Sequence, residues 1–273
     1  MKKRVLAGLT VILIVVLALV LPVQYFYILF FILALLCCHE YMNMLESSGI
    51  RPMRIIGYIW TGLFTMLLFN VRYGIIAATG LSDGYEVMLA TTLLLMTLAA
   101  ASVFSRNHDL KSAVHTFFGC IYTVFLLGFA VLIIELPMGK WLLGYVILGG
   151  VATDTFSYFT GYFFGKKKIV PSISPAKTVE GSIGGYIGSV LVILGYTLIM
   201  NAITGWIPSI PAVLFIMLVS GAAAQVGDWI ASYIKRHFGI KDFGRLIPGH
   251  GGMLDRIDSI IFLAPLIYLV LII

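Results

Sequence analysis

Charge is what this sequence has least of. Only 11% of its 273 residues are Asp, Glu, Lys or Arg, while 60% are hydrophobic. A soluble domain needs about a quarter of its residues charged to cover its surface. That shortage, together with apolar runs of about twenty residues, excludes a water-facing shell and makes the bilayer the main solvent. Cysteine is scarce as well. Cys37, Cys38 and Cys120 all sit in apolar runs, which argues against a disulfide framework and leaves them as packing thiols. No domain-sized linker and no low-complexity tract interrupts the chain.

What is present is a succession of hydrophobic segments. Hydropathy predicts an all-α, polytopic integral membrane protein of about nine transmembrane helices, roughly at 5–21, 23–44, 54–80, 85–104, 113–134, 141–164, 181–203, 208–234 and 256–273. Pro22 alone separates the first two, which suits a tight hairpin, and Asn70 to Tyr73 is a candidate break in the long third. The N-terminal Met1-Lys-Lys-Arg4 followed by Val5 to Leu21 reads as a retained first span. The run is longer than a usual signal-peptide core, and no small-x-small cleavage site closes it. The spans divide by chemistry into an N-terminal region, 1–140, and a C-terminal catalytic region, 141–273, with its cytosolic loops.

The net charge of +6 says less than its placement. With the N-terminus in the cytosol, the cytosolic side collects Lys2, Lys3, Arg4, Arg51, Arg54, Arg106, Lys111, Lys166, Lys167, Lys168, Lys177, Lys235, Arg236, Lys241, Arg245 and Arg256. The far side holds only Arg72 and Lys140. This asymmetry supports both the orientation and an odd number of spans. A glycine ladder, Gly181, Gly184, Gly185 and Gly188, predicts close helix packing through small-xxx-small spacing.

Charges inside spans cost about 2.5–3.5 kcal/mol each at a helix centre, so each needs a reason. Asp154 lies in the sixth span and Asp228 near the cytosolic mouth of the eighth. Ser157, Tyr158 and Gly161 follow Asp154 at helical spacing and share its face. Asp154 is then either a functional carboxylate or a buried one hydrogen-bonded to a neighbouring helix. The ninth span begins Asp255-Arg-Ile-Asp258, two carboxylates on one face at a helix start, a common way to hold a hard divalent cation. Ahead of it, Ile247-Pro-Gly-His-Gly-Gly252 lets backbone N–H groups turn towards a bound anion, or forms an ordinary glycine turn capped by Asp255. Lys235, Arg236, Lys241 and Arg245 flank it. A second loop carries Gly165-Lys-Lys-Lys168 and Ser174-Pro-Ala-Lys-Thr-Val-Glu-Gly181, with hydroxyls at Ser174 and Thr178, an ammonium at Lys177 and a carboxylate at Glu180. These groups can grip a phosphate and its metal, or Ser174 and Thr178 can simply cap a helix. The glycine spacing of a Walker loop is absent.

Six carboxylates (Asp154, Glu180, Asp228, Asp242, Asp255 and Asp258) and both loops fall on the cytosolic side. Two anionic reactants about 4 Å apart repel by about 4 kcal/mol per charge pair at an effective dielectric of 20. A site that joins them needs cations, which points to phosphoryl or nucleotidyl chemistry at a membrane surface. An anion transporter is disfavoured by charges gathered at one face with no visible inverted repeat.

The run from Ser232 through Lys235-Arg236, Lys241-Asp242, Pro248-Gly249-His250-Gly251-Gly252 and Asp255-Arg256-Ile257-Asp258 resembles the signature of the CDP-diacylglycerol synthases, the phosphatidate cytidylyltransferases, in every element over its 27 residues. Ser174 to Gly181 and the Asp154 helix also look like stretches of that family. The resemblance is specific over residues 150–260, and before residue 140 it rests on span count and length. It implies transfer of CMP from CTP to phosphatidate, with release of pyrophosphate. It implies Mg²⁺, with a monovalent cation such as K⁺ beside it. Asp228 and Asp255 are then the metal ligands and Asp258 and Glu180 supporting ones. Lys241 and His250 join Asp228 and Asp255 as catalytic residues. Ser174, Lys177, Thr178, Lys235, Arg236, Arg256, Gly251 and Gly252 bind substrate. The partners expected are CTP, phosphatidate, the bilayer and a second copy of the chain in a homodimer, with no nucleic acid. The expected location is the cytoplasmic (inner) membrane, multi-pass, with the N-terminus and active site in the cytosol. A CTP-dependent lipid-alcohol kinase would need a base for its hydroxyl nucleophile, whereas phosphatidate needs none.

Overall fold

A computed structural model of the chain describes residues 22–73, 83–171, 173–246 and 251–273. Among them the only regular structure is helical: α1 (Val23–Ser47), α2 (Arg54–Tyr73), α3 (Asp83–Phe104), α4 (Leu110–Cys120), α5 (Leu126–Glu135), α6 (Gly139–Phe164), α7 (Val179–Thr204), α8 (Ile210–His237) and α9 (Leu254–Ile272). A π-helical turn, Ile121–Phe125, joins α4 to α5, so the two run as one rod. Six described stretches are long and apolar enough to cross a membrane: Val23–Ser47, Glu86–Phe104, Leu110–Glu135, Gly139–Phe164, Val179–Thr204 and Ile210–His237. The protein is therefore an all-α, multi-pass membrane protein. The span expected at 5–21 lies outside the described residues. Of the long segment expected at 54–80, the helix is described to Tyr73.

Helix ends follow local chemistry. Asp109 caps α4, where its Oδ1 accepts the N–H and the hydroxyl of Ser112, each at 2.8 Å. Those donors hold the Asp109 carboxyl below its ordinary range. Thr178 caps α7 by accepting the N–H of Gly181 at 3.1 Å. Gly205 ends α7 in the left-handed region, at φ 67°, a conformation a side chain would strain.

The chain forms two compact units. One takes in the described residues up to Val131 together with Phe238–Arg256, and the other Leu132–His237 with Ile257–Ile273. The core of the first is built on α1, α2 and α4. Cys38, Tyr41, Met42, Leu45, Trp60, Phe64 and Cys120 are all buried there, and the ring of Tyr41 fills the space above Gly119. All three cysteines are free thiols.

In the second unit α6 and α7 approach closely along the expected glycine ladder. A Cβ at Gly184 would collide with Thr160, at Gly185 with Ser157 and at Gly188 with Phe156. Removing side chains there lets two helices meet at backbone distance, the usual route to helix association where lipid offers no hydrophobic drive. Deeper in, the Tyr145 and Thr197 hydroxyls lie 3.0 Å apart, and the Tyr196 hydroxyl donates to the Trp141 carbonyl at 2.6 Å. Gly227 plays the same part on α8, where a Cβ would fall 2.8 Å from the Asp258 carbonyl of α9. That close approach brings the carboxylates next to it, Asp228 and Asp258, into one neighbourhood.

Candidate active site

The second unit gathers three of the carboxylates singled out in the sequence. Asp258, on the first turns of α9, is only 7% exposed, and its Oδ1 accepts the N–H of Ser259 at 2.9 Å. Asp228, Lys235 and Asp154 are the charged groups near enough to act on it. Asp228 is half-buried and forms an ion pair with Lys177. The Lys177 ammonium also stands 6.0 Å from the centroid of the Trp229 ring. Lys235, in the last turn of α8, is buried at 8% exposure. Lys177 thus pairs with Asp228, and Asp258 lies within electrostatic reach of Asp228, Lys235 and Asp154.

Asp154 itself is exposed, and the face it was expected to share divides. Ser157 and Gly161 pack against α7, at Gly185 and Gly181, while Tyr158 is 67% exposed. Among the described residues no three His, Cys, Asp or Glu side chains converge closely enough to hold a metal ion by themselves. The donor set nevertheless suits a hard divalent cation. Its carboxylates offer the oxygen donors that such an ion takes.

The loop between α6 and α7 is fastened at its ends. The Glu180 carboxylate accepts the N–H groups of Lys166 at 3.0 Å and Lys167 at 3.2 Å, and the Val179 N–H donates to the Lys167 carbonyl at 2.8 Å. An isolated antiparallel bridge pairs Lys168 with Thr178. Glu180 therefore shapes the lysine loop, and the Thr178 hydroxyl caps α7. Ser174 closes a turn through its N–H to the Val170 carbonyl at 2.9 Å and lines a small cleft with Lys177 and Trp229. The Arg236 Nε donates to the Ile173 carbonyl at 3.3 Å, which ties the end of α8 to this loop.

The first unit holds the remainder of the signature. Lys241, Asp242 and Arg245 are exposed and line a cavity of about 450 Å³ with Asn43, Met44, Ser47 and other residues of 240–245. Gly251 adopts φ +88°, and a Cβ there would lie 2.8 Å from the Asp255 carboxylate. Asp255 is buried, and its Oδ2 accepts the N–H groups of Phe243 at 2.8 Å and Gly252 at 2.9 Å. Arg256 is exposed. His250 lies outside the described residues.

The sequence reading missed Glu40. It sits on α1, 6% exposed, and accepts the Met253 N–H on Oε1 at 2.9 Å and the Leu254 N–H on Oε2 at 2.8 Å. The backbone amides expected to face a bound anion at the start of α9 thus face, for residues 252–254, the protein's own carboxylates. The signal was available, since Glu40 is an ionisable residue inside an apolar span, the rule that singled out Asp154 and Asp228.

Comparison with known proteins gives the family. The sequence model of the cytidylyltransferase family matches residues 2–273. A phosphatidate cytidylyltransferase of Bacillus subtilis is 29% identical over 272 residues, 99% of this chain and 97% of that protein. Proteins of the same name from Thermotoga maritima and Staphylococcus saprophyticus are more alike over less of their length. The first is 43% identical over 122 residues, 43% of this chain and 44% of that protein. The second is 45% identical over 120 residues, 44% of this chain and 45% of that protein. The chain thus spans less than half the length of these two relatives and nearly all of the Bacillus protein.

Proposed function

We propose that this chain, which belongs to the cytidylyltransferase family, is an enzyme that transfers CMP from CTP to phosphatidate, giving CDP-diacylglycerol and pyrophosphate. The observation that carries the reading is the set of carboxylates and lysines in the second unit, Asp228 with Lys177 and Asp258 near Lys235, built into helices of a membrane protein. A phosphate oxygen of phosphatidate attacks the α-phosphorus of CTP, the bond from that phosphorus to the β-phosphate oxygen breaks, and pyrophosphate leaves with the electron pair. The nucleophile is already an anion, so no general base is required. The chain's contribution is to position the reactants and offset charge.

A divalent metal belongs to this chemistry, and we take it to be Mg²⁺, with K⁺ as a second, monovalent ion. A bound divalent ion would supply positive charge to offset that of the phosphates. Asp228, Asp258, Asp255 and Glu180 are the candidate ligands, and the last two also fasten backbone amides. Lys177, Lys235, Arg236, Lys241 and Arg256 are the candidate phosphate-holding cations, joined by His250, by Ser174 and Thr178, and by Gly251 and Gly252. The lipid arrives along the membrane surface. Tyr158, Tyr162, Phe163 and Phe164 form an exposed aromatic band at the end of α6, directly followed by exposed Lys166, Lys167 and Lys168. Aromatic belts mark the headgroup level, and lysines beside them concentrate anionic lipid. The cytosolic face of the cytoplasmic membrane and a homodimer complete the proposal.

The test is direct. Purified protein in phosphatidate-containing vesicles, supplied with CTP and Mg²⁺, should release pyrophosphate and form CDP-diacylglycerol in equal amounts. Formation of CDP together with a phosphorylated lipid alcohol would make it a kinase, and no consumption of CTP would overturn both.

A further inference from the structure

Glu40 has no place in the chemistry above, yet it grips the signature loop from two sides. Its two oxygens each accept one backbone N–H, from Met253 and Leu254, and a Cβ at either Gly244 or Gly252 would run into its carboxylate. Beside it, Asp255 Oδ2 takes the N–H groups of Phe243 and Gly252. Four amides of one loop are thus gathered on two neighbouring buried carboxylates, one of them contributed by α1. Taking a carboxylate out of water is costly unless it is well hydrogen-bonded, and charge-assisted bonds to amides at a helix start are among the stronger ones available. Gly244 lies between Lys241 and Arg245, and Met253 and Leu254 immediately precede Asp255 and Arg256. The setting of all four of those side chains therefore depends on where Glu40 holds the backbone.

We propose that Glu40 is a positioning residue for cytidylyl transfer: from α1 it fixes the backbone at Gly244 and at residues 252–254 so that Lys241, Arg245, Asp255 and Arg256 are held ready for the reactants. The inference rests on the functional reading above. It gives the N-terminal region a part in the reaction without contact with substrate.

Glu40→Gln is the informative change. It keeps the shape, removes the charge, and turns one acceptor into an NH₂ that must face an amide N–H, so one of the two bonds is lost. Misplacing reacting groups by about 1 Å commonly costs about a hundredfold in rate. The expected result is a kcat lower by about tenfold or more, with KM for CTP and phosphatidate changed by less than about twofold. Glu40→Asp should recover part of the loss. An independent readout is thiol labelling at Leu246→Cys, since Leu246 is 52% exposed in the loop and the native Cys37, Cys38 and Cys120 are at 0% exposure. With Glu40→Gln, labelling there should quicken several-fold, while labelling at Ala202→Cys, exposed near the end of α7, stays the same. Unchanged kcat, or lost kcat with unchanged labelling at Leu246→Cys, overturns the proposal. Should Glu40→Gln fail to fold, Gly244→Ala serves instead. Its methyl pushes the carboxylate aside and should lower kcat, and adding Glu40→Asp should restore room and part of the rate; no recovery overturns the proposal. A wild-type protein that makes no CDP-diacylglycerol would sink the functional reading, whereas the labelling result still judges the clasp on its own.

Discussion

An ionised carboxylate in an apolar helix needs a partner, and the kind of partner separates the acidic residues of this protein. Glu40, Glu180 and Asp255 are answered by backbone N–H groups, which makes them fasteners of loops. Asp228 is answered by a lysine side chain, and such a pair can open to admit a metal or a phosphate. Asp228→Asn should therefore insert and fold, yet lose about 10²–10³ in turnover, the usual cost of one charge-stabilising contact. Part of that loss should return at high Mg²⁺ or with Mn²⁺, as a Mg²⁺ titration of CDP-diacylglycerol formation would show. Activity that is normal at an unchanged Mg²⁺ requirement would remove Asp228 from the site. Asp109 behaves differently. Its carboxyl is held low in the folded protein by Ser112, so its contribution to stability is present above the ordinary carboxylate pKa and is lost as pH falls through its own lower value. Asp109→Ala should lower the melting temperature at neutral pH, the difference should shrink below about pH 4, and turnover should be unaffected. A difference that persists unchanged in acid would mean that the cap acts through shape and not charge. Asp154 and Asp228 were legible because charge inside an apolar run stands out, and Asp258 because it follows Asp255 at helical spacing at the start of a span. Glu40 stands out equally, but its partners are 213 and 214 residues away, and no local spacing announces a contact at that range.

At the scale of whole helices the sequence was most readable. The expected 141–164 and 181–203 lie inside α6 and α7, and the expected 208–234 falls in α8 from Ile210 onward, because runs this apolar have no other stable form in lipid. Residues 70–73, where a break was suspected, are helical in α2, and residues 74–82 lie outside the described residues. The π-helical turn between α4 and α5 was not foreseen, and nothing in Ile121-Tyr-Thr-Val-Phe125 sets it apart from ordinary helix. The glycine ladder was foreseen, and it yields a contrast within one helix. Gly184→Val should force α6 and α7 apart at Thr160 and cost about 1–3 kcal/mol, read as a lowered melting temperature in detergent. Gly195→Ala, where a Cβ meets nothing within 4 Å, should be tolerated. Equal tolerance at both positions would show that the helices are not packed through the ladder.

For the molecule as a whole, the distribution of basic residues sets an orientation that can be tested at the two ends of α7. A cysteine at Lys167 should react only with a reagent applied from the cytosol, and one at Gly205 only with a reagent applied from outside. Labelling of both from one side would break the span map. The signature run from Ser232 to Asp258 is shared between the two units, with Phe238–Arg256 in the first and both flanks in the second. A linear reading could not show this, because it treats neighbours in sequence as neighbours in structure. The clasp on Glu40 then has a consequence for anyone building hybrids of related proteins. The junction that looks safest on paper, midway along the chain, would take α1 from one parent and the loop around Met253 from the other. Glu40 would then face a loop that had never been fitted to it. Chimaeras that carry residues 23–47 and 238–256 from the same parent should survive that cut, and those that mix them should not.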